Sequence, residues 1–214
     1  MEFGSFQQQL KNKRSNTQTQ PINVLQPTTD EQPITIHQQR TTNNKSPNIP
    51  HMKTVYIVRH GKAVPASANV ADADRMLTDT GVARTCKIAE YMTENKPVID
   101  HIIASPAERA YDTALIIADK LGIPVNKVVA NEKLFTGDDL DALEILEGLD
   151  DSINSVMIVG HNPFITMVAN RFASPKLDSL PTTGIVSAHL ETEKWVNLKK
   201  AKVIQNFTVW PGML

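Results

Sequence analysis

The sequence has one cysteine, no long apolar run and almost no net charge. Cys86 cannot form a disulfide within the chain, which favours a reducing compartment. No apolar run reaches the roughly 20 residues of a transmembrane helix, and the N-terminus lacks the apolar core of a secretory signal. The formal net charge of −1 gives no bulk attraction to nucleic acid or to an anionic membrane. These absences predict a cytoplasmic protein that binds neither nucleic acid nor membranes.

The histidines show no metal-ligand spacing. His101 and His189 fit no ligand spacing of a metal site, so no metal and no cofactor are expected. Cys86 lies on an apolar helical face and is expected in the core.

Composition changes sharply near position 52. Residues 1–51 are rich in Gln, Asn, Thr and Pro and are predicted to be disordered. The residues from Met1 to Ser5, together with His51-Met52, are typical of translated cloning sites. Two interpretations stay open, a leader added by cloning and a native unstructured extension. Residues 52–214 are predicted to form a single compact domain without a large cap, monomeric by default.

Short β-rich runs alternate with helical patterns in this domain. The runs Thr54–Val58, Ile102–Ala104 and Val156–Val159 are apolar on both faces, as expected for central strands of a covered parallel sheet. The order strand, helix, strand, helix, helix, strand, helix predicts an α/β fold, a three-layer, doubly wound and mostly parallel sheet. Gly184–Leu190 and Val203–Val209 are predicted edge strands.

Four helices are predicted from apolar spacing and from start and stop signals. Thr78 is the expected N-cap of the first helix. In the second helix, Ser105 is the expected N-cap, and Glu108 completes a capping box. The helices are predicted to cover Val82 to Met92, the segment from Ser105 to a stop at Gly122, Asp139 to Leu149, and the residues after Pro163.

Polar clusters follow all three predicted central strands. Arg59-His60-Gly61 follows the first strand, Ser105-Pro106 and then Arg109 follow the second, and Gly160-His161-Asn162-Pro163 follows the third. Ligands of open α/β sheets bind beyond the carboxyl ends of the strands. Two histidines and two arginines are therefore expected to converge on one crevice.

These side chains suit phosphoryl transfer. A neutral imidazole of His60 can attack phosphorus in line when its other nitrogen is held in one tautomer. Arg59 and Arg109 offer bidentate forks for the phosphoryl oxygens, and His161 can add a third contact. Gly61 lets the backbone come close to the phosphate.

The motifs resemble those of the histidine phosphatase superfamily. Arg59-His60-Gly61 after a hydrophobic strand is its signature. Ser105-Pro106-x-x-Arg109-Ala110-x-x-Thr113-Ala114 and Gly160-His161-Asn162-Pro163 resemble its second and third blocks, in the same order. Arg75-x-Leu77-Thr78-x-x-Gly81 is similar to the element after the first block. The resemblance spans residues 52–214, and the compact size is similar to the SixA-type phosphohistidine phosphatases.

The resemblance implies a phosphohistidine intermediate on His60. It also implies that Arg59, Arg109 and His161 bind the phosphoryl group. Separately, Asn162 is expected to help shape the phosphate pocket.

The proton donor is where the sequence departs from the family pattern. Acid phosphatases of the superfamily follow the second histidine with aspartate, whereas this chain has Asn162. Other members place a glutamate after the second helix. Glu132 is the nearest candidate here, with Asp138 or Asp139 behind it. An alkoxide leaving group needs a proton, whereas protonated phosphohistidine loses its imidazole readily. Weak acid catalysis thus favours a P–N substrate.

The leading hypothesis is dephosphorylation of a phosphohistidine-bearing protein, such as a phosphotransfer domain or a carrier of the sugar phosphotransferase system. One alternative is a phosphomonoesterase acting on a small sugar or nucleotide phosphate, which a functional Glu132 would favour. The other is a non-catalytic phosphate-sensing module, which would not need the nucleophile. Lys62 follows the signature and is expected to be a solvated side chain.

Overall fold

A computed structural model describes residues 52–95 and 97–214, so the predicted segment 1–51 lies outside the described residues. A six-stranded sheet forms the centre of the described chain. Its strands are β1 (Met52–Arg59), β2 (His101–Ala104), β3 (Val128–Ala130), β4 (Ser155–Gly160), β5 (Ile185–Glu191) and β6 (Lys202–Val209). They are ordered β3-β2-β4-β1-β5-β6 across the sheet. The strands from β3 to β1 are parallel, and β5 and β6 are antiparallel.

Helices cover both faces of this sheet. The helices are α1 (Asp79–Glu94), α2 (Glu108–Leu121), α3 (Lys133–Thr136), α4 (Asp139–Glu147) and α5 (Phe164–Phe172). Residues of α1 and α2 contribute to the core on one face, and residues of α3, α4 and α5 to the core on the other. The predicted three-layer α/β architecture with a mostly parallel sheet is therefore confirmed.

The sequence of β1 is apolar on both sides because both faces of the strand pack into a core. Successive side chains of a strand point to opposite faces. Val55 and Ile57 pack into the core beneath α4 and α5, whereas Tyr56 and Val58 pack into the core beneath α1 and α2. Burying each aliphatic side chain contributes about 1.5–3 kcal/mol, so β1 is held in register from both faces.

All three predicted central strands are confirmed. Both predicted edge strands exist, but only β6 lies at an edge, because β5 lies between β1 and β6. Neither β3 nor α3 is predicted from the sequence. Three and four residues respectively are too few to show a period of either kind.

The predicted helix ends are mostly confirmed. The Thr78 side chain accepts a hydrogen bond from Gly81 N, and α2 ends at Gly122 with a φ of 69°. The predicted Ser105 cap is wrong, because α2 begins at Glu108 and its N-cap residue, Ala107, makes no side-chain hydrogen bond. The hydroxyl of Ser105 has another partner, described below.

The last two predicted helices are also present. Helix α4 begins at Asp139, as predicted, and ends at Glu147, two residues before the predicted end. Helix α5 begins directly after Pro163. Cys86, expected in the core, is half-buried and packs against the core from α1. Within residues 52–95 and 97–214, no helix has the length and apolar character to cross a membrane.

The first turn of α1 supports the segment that follows His60. The Thr78 N–H and hydroxyl both donate to the Lys62 carbonyl, at 2.9 Å and 3.1 Å. A Cβ on Gly81 would lie 2.1 Å from that same carbonyl oxygen, so only glycine allows this approach.

We expect Gly81→Ala to lower the free energy of unfolding by about 3 kcal/mol, because backbone has to move to relieve the contact. Gly122→Ala is the control. A Cβ there meets open space, and only the left-handed φ disfavours it, by about 1 kcal/mol. Urea unfolding of both variants checks the prediction, and equal stability of the two would contradict it.

Candidate active site

Three parallel strand ends bring the predicted polar clusters together. Register pairs Arg59 at the end of β1 with Gly160 at the end of β4, and His60 N donates to Gly160 O at 3.1 Å. The residues that follow are therefore neighbours. The imidazole rings of His60 and His161 lie 4.9 Å apart between centroids, with a tilt of 52°. The expected convergence of the two histidines is confirmed.

One nitrogen of His60 is committed to the backbone. Nδ1 lies 2.6 Å from the Gly61 carbonyl oxygen. A carbonyl can only accept, so Nδ1 carries the ring proton and Nε2 keeps its lone pair. The structure thus provides the single tautomer that the sequence analysis required of a nucleophile.

Gly61 is required for packing. A Cβ at this position would lie 2.9 Å from Thr85 Oγ1 and 3.0 Å from Leu77 Cδ2. Its N–H donates to Thr113 Oγ1 at 2.9 Å, and the Thr113 hydroxyl in turn donates to Arg109 O at 2.7 Å. The missing side chain therefore makes room for Thr85 of α1 and for Leu77, and the close approach of phosphate stays a prediction.

Arg109 is buried and held by the loop that precedes α1. Its two terminal nitrogens donate to Asp72, Nη1 to the main-chain oxygen and Nη2 to Oδ2 at 2.7 Å. Asp72 also pairs with Arg75 Nη1 at 2.7 Å. These hydrogen bonds, from Arg75 and then from Arg109, hold the pKa of Asp72 below its usual value. Asp72 is not predicted from the sequence, in which the nearest signal is the motif Arg75-x-Leu77-Thr78-x-x-Gly81.

Arg59 is fixed in a similar way. Its Nη1 donates to the Leu180 carbonyl at 2.9 Å. In both Arg59 and Arg109, Nε is buried and has no hydrogen-bond partner among the described residues. Unpaired buried donors are rare because each costs about 1–3 kcal/mol. Both unpaired N–H groups belong to arginines whose charges act on the His60 ring.

His161 is buried and contacts two side chains. Its Nε2 lies 2.7 Å from Ser105 Oγ, and the edge of its ring meets Phe135, with the centroids 5.8 Å apart. Its Nδ1 is buried and has no partner in the described part of the chain. Ser105 is thus a site residue that the sequence analysis assigned to a helix cap.

Burial keeps both imidazoles neutral. It lowers the pKa of His60 to about 4, and the nearby charges of Arg109, Arg59 and Arg75 also lower it. Burial likewise lowers the pKa of His161 to about 3, with further lowering by His60 and Arg109. At neutral pH each ring therefore carries one proton.

Thr183 stabilises the end of β1 through its backbone N–H. Its N–H is shared between the carbonyls of Arg59, at 3.0 Å, and His60, at 3.2 Å. Thr183 is fully buried, has a φ of 58°, and its hydroxyl has no partner among the described residues. Left-handed backbone is costly for a β-branched residue and often occurs at functional sites. Nothing in the sequence pattern marked this position.

The Asn162 side chain makes structural hydrogen bonds through both its nitrogen and its oxygen. Its Nδ2 donates to Ser179 Oγ at 2.8 Å and to Leu180 O at 3.3 Å, and its Oδ1 accepts from Thr166 Oγ1 at 2.6 Å. Since Leu180 O also accepts from Arg59, Asn162 shapes the crevice by fixing the segment that holds Arg59.

The predicted acids differ in their surroundings. Glu132 is exposed and follows β3 at the same sheet edge as the two histidines. Asp138 caps α4, accepting from Leu140 N at 2.9 Å and Asp141 N at 3.1 Å. Asp139 pairs with Arg171 at 3.4 Å. Of these three acids, only Glu132 has neither a helix-capping role nor an ion pair. Lys62 is exposed, as expected.

The described residues contain no group of three or more His, Cys, Asp or Glu placed to hold a metal ion.

We expect the ring protons of His60 and His161 to show titration midpoints near pH 4 and pH 3. An unperturbed histidine titrates near pH 6.5. NMR of the folded protein measures this directly, with the urea-unfolded chain as the reference. A midpoint near 6.5 for either ring would contradict the burial argument.

The same shifts predict acid sensitivity. Below pH 6.5 the unfolded chain gains protons that the folded chain does not, so the free energy of unfolding falls as pH falls. Each histidine contributes at most about 1.4 kcal/mol per pH unit, until its folded pKa is reached. Urea unfolding at pH 7 and pH 5 tests this. His161→Gln should weaken the dependence, and an unchanged dependence would contradict its assignment to this residue.

Comparison with known proteins agrees with the motifs. The model of the histidine phosphatase superfamily (branch 1) matches residues 55–130, which run from β1 to the end of β3. Phosphohistidine phosphatase SixA of Escherichia coli (strain K12) is 29% identical over 161 residues, covering 70% of this chain and 99% of that protein.

Solved structures share the fold. The structure of the protein histidine phosphatase SixA complexed with tungstate superposes with a TM-score of 0.62 at 24% identity, covering 75% of this chain and 98% of the other. The SixA structure from Agrobacterium tumefaciens gives 0.59 at 24% identity, covering 72% and 97%. Residues 55–130 thus match the histidine phosphatase superfamily model, and these matches, together with the site geometry, show that the chain is a phosphatase.

Proposed function

We propose that this phosphatase removes the phosphoryl group from a phosphohistidine side chain of a protein, through a phosphohistidine intermediate on His60. One observation carries the proposal. His60 is neutral, its Nδ1–H is committed to the Gly61 carbonyl, and its Nε2 lone pair remains free beside unpaired N–H donors.

The reaction proceeds in two displacements. First, His60 Nε2 bonds to phosphorus while the P–N bond of the substrate breaks. The substrate imidazole keeps the electron pair of that bond and leaves as neutral histidine, having been protonated on its ring. Second, a water oxygen bonds to phosphorus, the bond to His60 breaks, and inorganic phosphate is released with the proton of the water.

Three buried nitrogens are candidates to bind the transferring group. Arg59 Nε, Arg109 Nε and His161 Nδ1 are buried and unpaired within the described chain. The phosphoryl group carries its charge on three equatorial oxygens. Donors fixed before the reaction stabilise that charge without reorganisation, and each is worth roughly 2.7–4 kcal/mol of barrier. The arginines are already oriented by Leu180 and Asp72.

The acids at the crevice favour a P–N substrate. Asp72 is paired with two arginines and its pKa is lowered, so it is a poor proton donor at pH 7. Glu132 is exposed and makes no hydrogen bond to either histidine. A phosphohistidine needs no strong acid because its imidazole can leave already protonated, whereas an alkoxide cannot.

The surroundings of the crevice suit a protein substrate. The connections that border it, residues 60–78, 131–138 and 173–184, contain only short helices and no inserted cap domain. The similarity to the Escherichia coli phosphohistidine phosphatase supports the same substrate class. A phosphotransfer domain or a phosphotransferase-system carrier carries this group, and a cytoplasmic location agrees with the free thiol of Cys86.

We expect wild type to release phosphate quickly from a phosphohistidine protein and slowly from p-nitrophenyl phosphate. His60→Ala should abolish both reactions, because the nucleophile is lost. Arg59→Ala should cost roughly 100- to 1,000-fold, as for other transition-state donors. Phosphate release measures all three, and acid-quenched radiolabelling tests for a phosphoenzyme.

His101→Gln is the matched control, since His101 begins β2 at the opposite end of the strand from the crevice. Faster turnover of the ester would support the phosphomonoesterase alternative. Phosphate binding without turnover would support the sensing module, and an active His60→Ala would refute the assigned nucleophile.

We expect Glu132→Gln to change turnover of phosphohistidine by less than about threefold. A working general acid contributes roughly 100-fold or more, so a loss of that size would contradict the view that the reaction needs no protein acid. Glu147→Gln, an acid paired with Lys199 away from the crevice, is the control in the same assay.

A further inference from the structure

Ser105 lies where β2 meets the crevice. It is fully buried, and its N–H donates to Val159 O at 2.9 Å, which continues the pairing of β2 with β4. Its hydroxyl oxygen lies 2.7 Å from His161 Nε2 and accepts from Ala107 N at 3.3 Å. The serine therefore joins the two strand ends through a side chain.

The position of the hydroxyl hydrogen follows from counting donors and acceptors. A serine hydroxyl has one hydrogen and two lone pairs, and the Ala107 N–H takes one lone pair. If His161 Nε2 carried the ring proton, the hydroxyl hydrogen of Ser105 would have no acceptor among its contacts in the described chain. If Nε2 is the acceptor, the hydrogen of Ser105 and the lone pair of His161 satisfy each other. Buried polar groups are nearly always paired, which selects the second arrangement.

We infer that Ser105 is a positioning residue that donates to His161 Nε2 and thereby fixes His161 as the Nδ1–H tautomer. The only proton on the neutral ring then lies on the nitrogen that is buried and unpaired in the described chain. In the other tautomer, Nδ1 would present a lone pair to phosphoryl oxygens and repel them. The inference rests on the proposed function, since it treats the crevice as a phosphoryl site.

Two further observations support this role. The low pKa of His161, about 3, means that the ring carries one proton at pH 7, so the choice of nitrogen matters. Phe135 meets the ring edge, which restricts rotation of the imidazole. A hydroxyl and an aromatic ring thus fix both the proton position and the orientation of His161.

The first test is the tautomer of His161 in the wild-type protein at pH 7. Long-range proton–nitrogen NMR correlations distinguish a protonated ring nitrogen from one with a lone pair. We expect Nδ1 to be protonated and Nε2 to be unprotonated. This measurement needs no variant and no substrate, and a protonated Nε2 overturns the inference.

The second test is Ser105→Ala, which removes the hydroxyl without adding volume. We expect a mixture of His161 tautomers, a roughly 10- to 100-fold fall in kcat, as for other misplaced catalytic groups, and a Kd for inorganic phosphate raised about tenfold. Ser155→Ala is the matched control. Ser155 is a buried, hydrogen-bonded serine at the opposite end of β4, where it contacts Asp100, and its loss should leave these values unchanged.

A double-mutant cycle separates positioning from a general structural effect. If Ser105 acts through His161, Ser105→Ala should cost little further activity in a His161→Ala background. An equal loss in both backgrounds overturns the inference. The tautomer and phosphate affinity are measured without turnover, so they test Ser105 even if phosphohistidine is not the substrate.

Discussion

The candidate site depends first on the parallel pairing of β1 with β4. The pairing of Arg59 with Gly160 and the hydrogen bond from His60 N to Gly160 O place the two strand ends side by side. His60 and His161 follow those ends and become neighbours. A register slip of one residue would turn every side chain to the opposite face, and the two cores packed on β1 oppose such a slip. Burial far from the crevice therefore fixes the distance between the imidazoles.

Burial also sets the electrostatics of the crevice. Two neutral histidines lie among buried or partly buried arginine side chains, and the Nε–H groups of Arg59 and Arg109 lack partners in the described chain. Each unpaired donor destabilises the fold by about 1–3 kcal/mol. The same donors are oriented before an oxyanion arrives and need no rearrangement when negative charge develops. The stability lost at this sheet edge and the affinity proposed for a phosphoryl group would thus have one physical origin.

Both arginines use terminal nitrogens for structural hydrogen bonds and leave Nε unpaired. Terminal nitrogens of Arg59 and Arg109 bind Leu180 O and Asp72, whereas Nε remains unpaired in each. Asn162 fixes the segment around Leu180, and Thr183 fixes the end of β1. The aim of the guanidinium groups is therefore set by loops, although the arginines themselves stand on regular structure.

The sequence by itself determined the central strands, four helices and the convergence of His60 and His161, because apolar runs and strand-end polar clusters are local patterns. It missed β3, whose three residues are too few for a period to appear. It also predicted a helix-cap role for Ser105 and no role for Asp72. Only the tertiary structure decided these roles, because Ser105 lies 56 residues from its partner His161 and Asp72 lies 37 residues from Arg109. A hydrogen bond depends on where both groups finally lie, and one-dimensional spacing holds no such information.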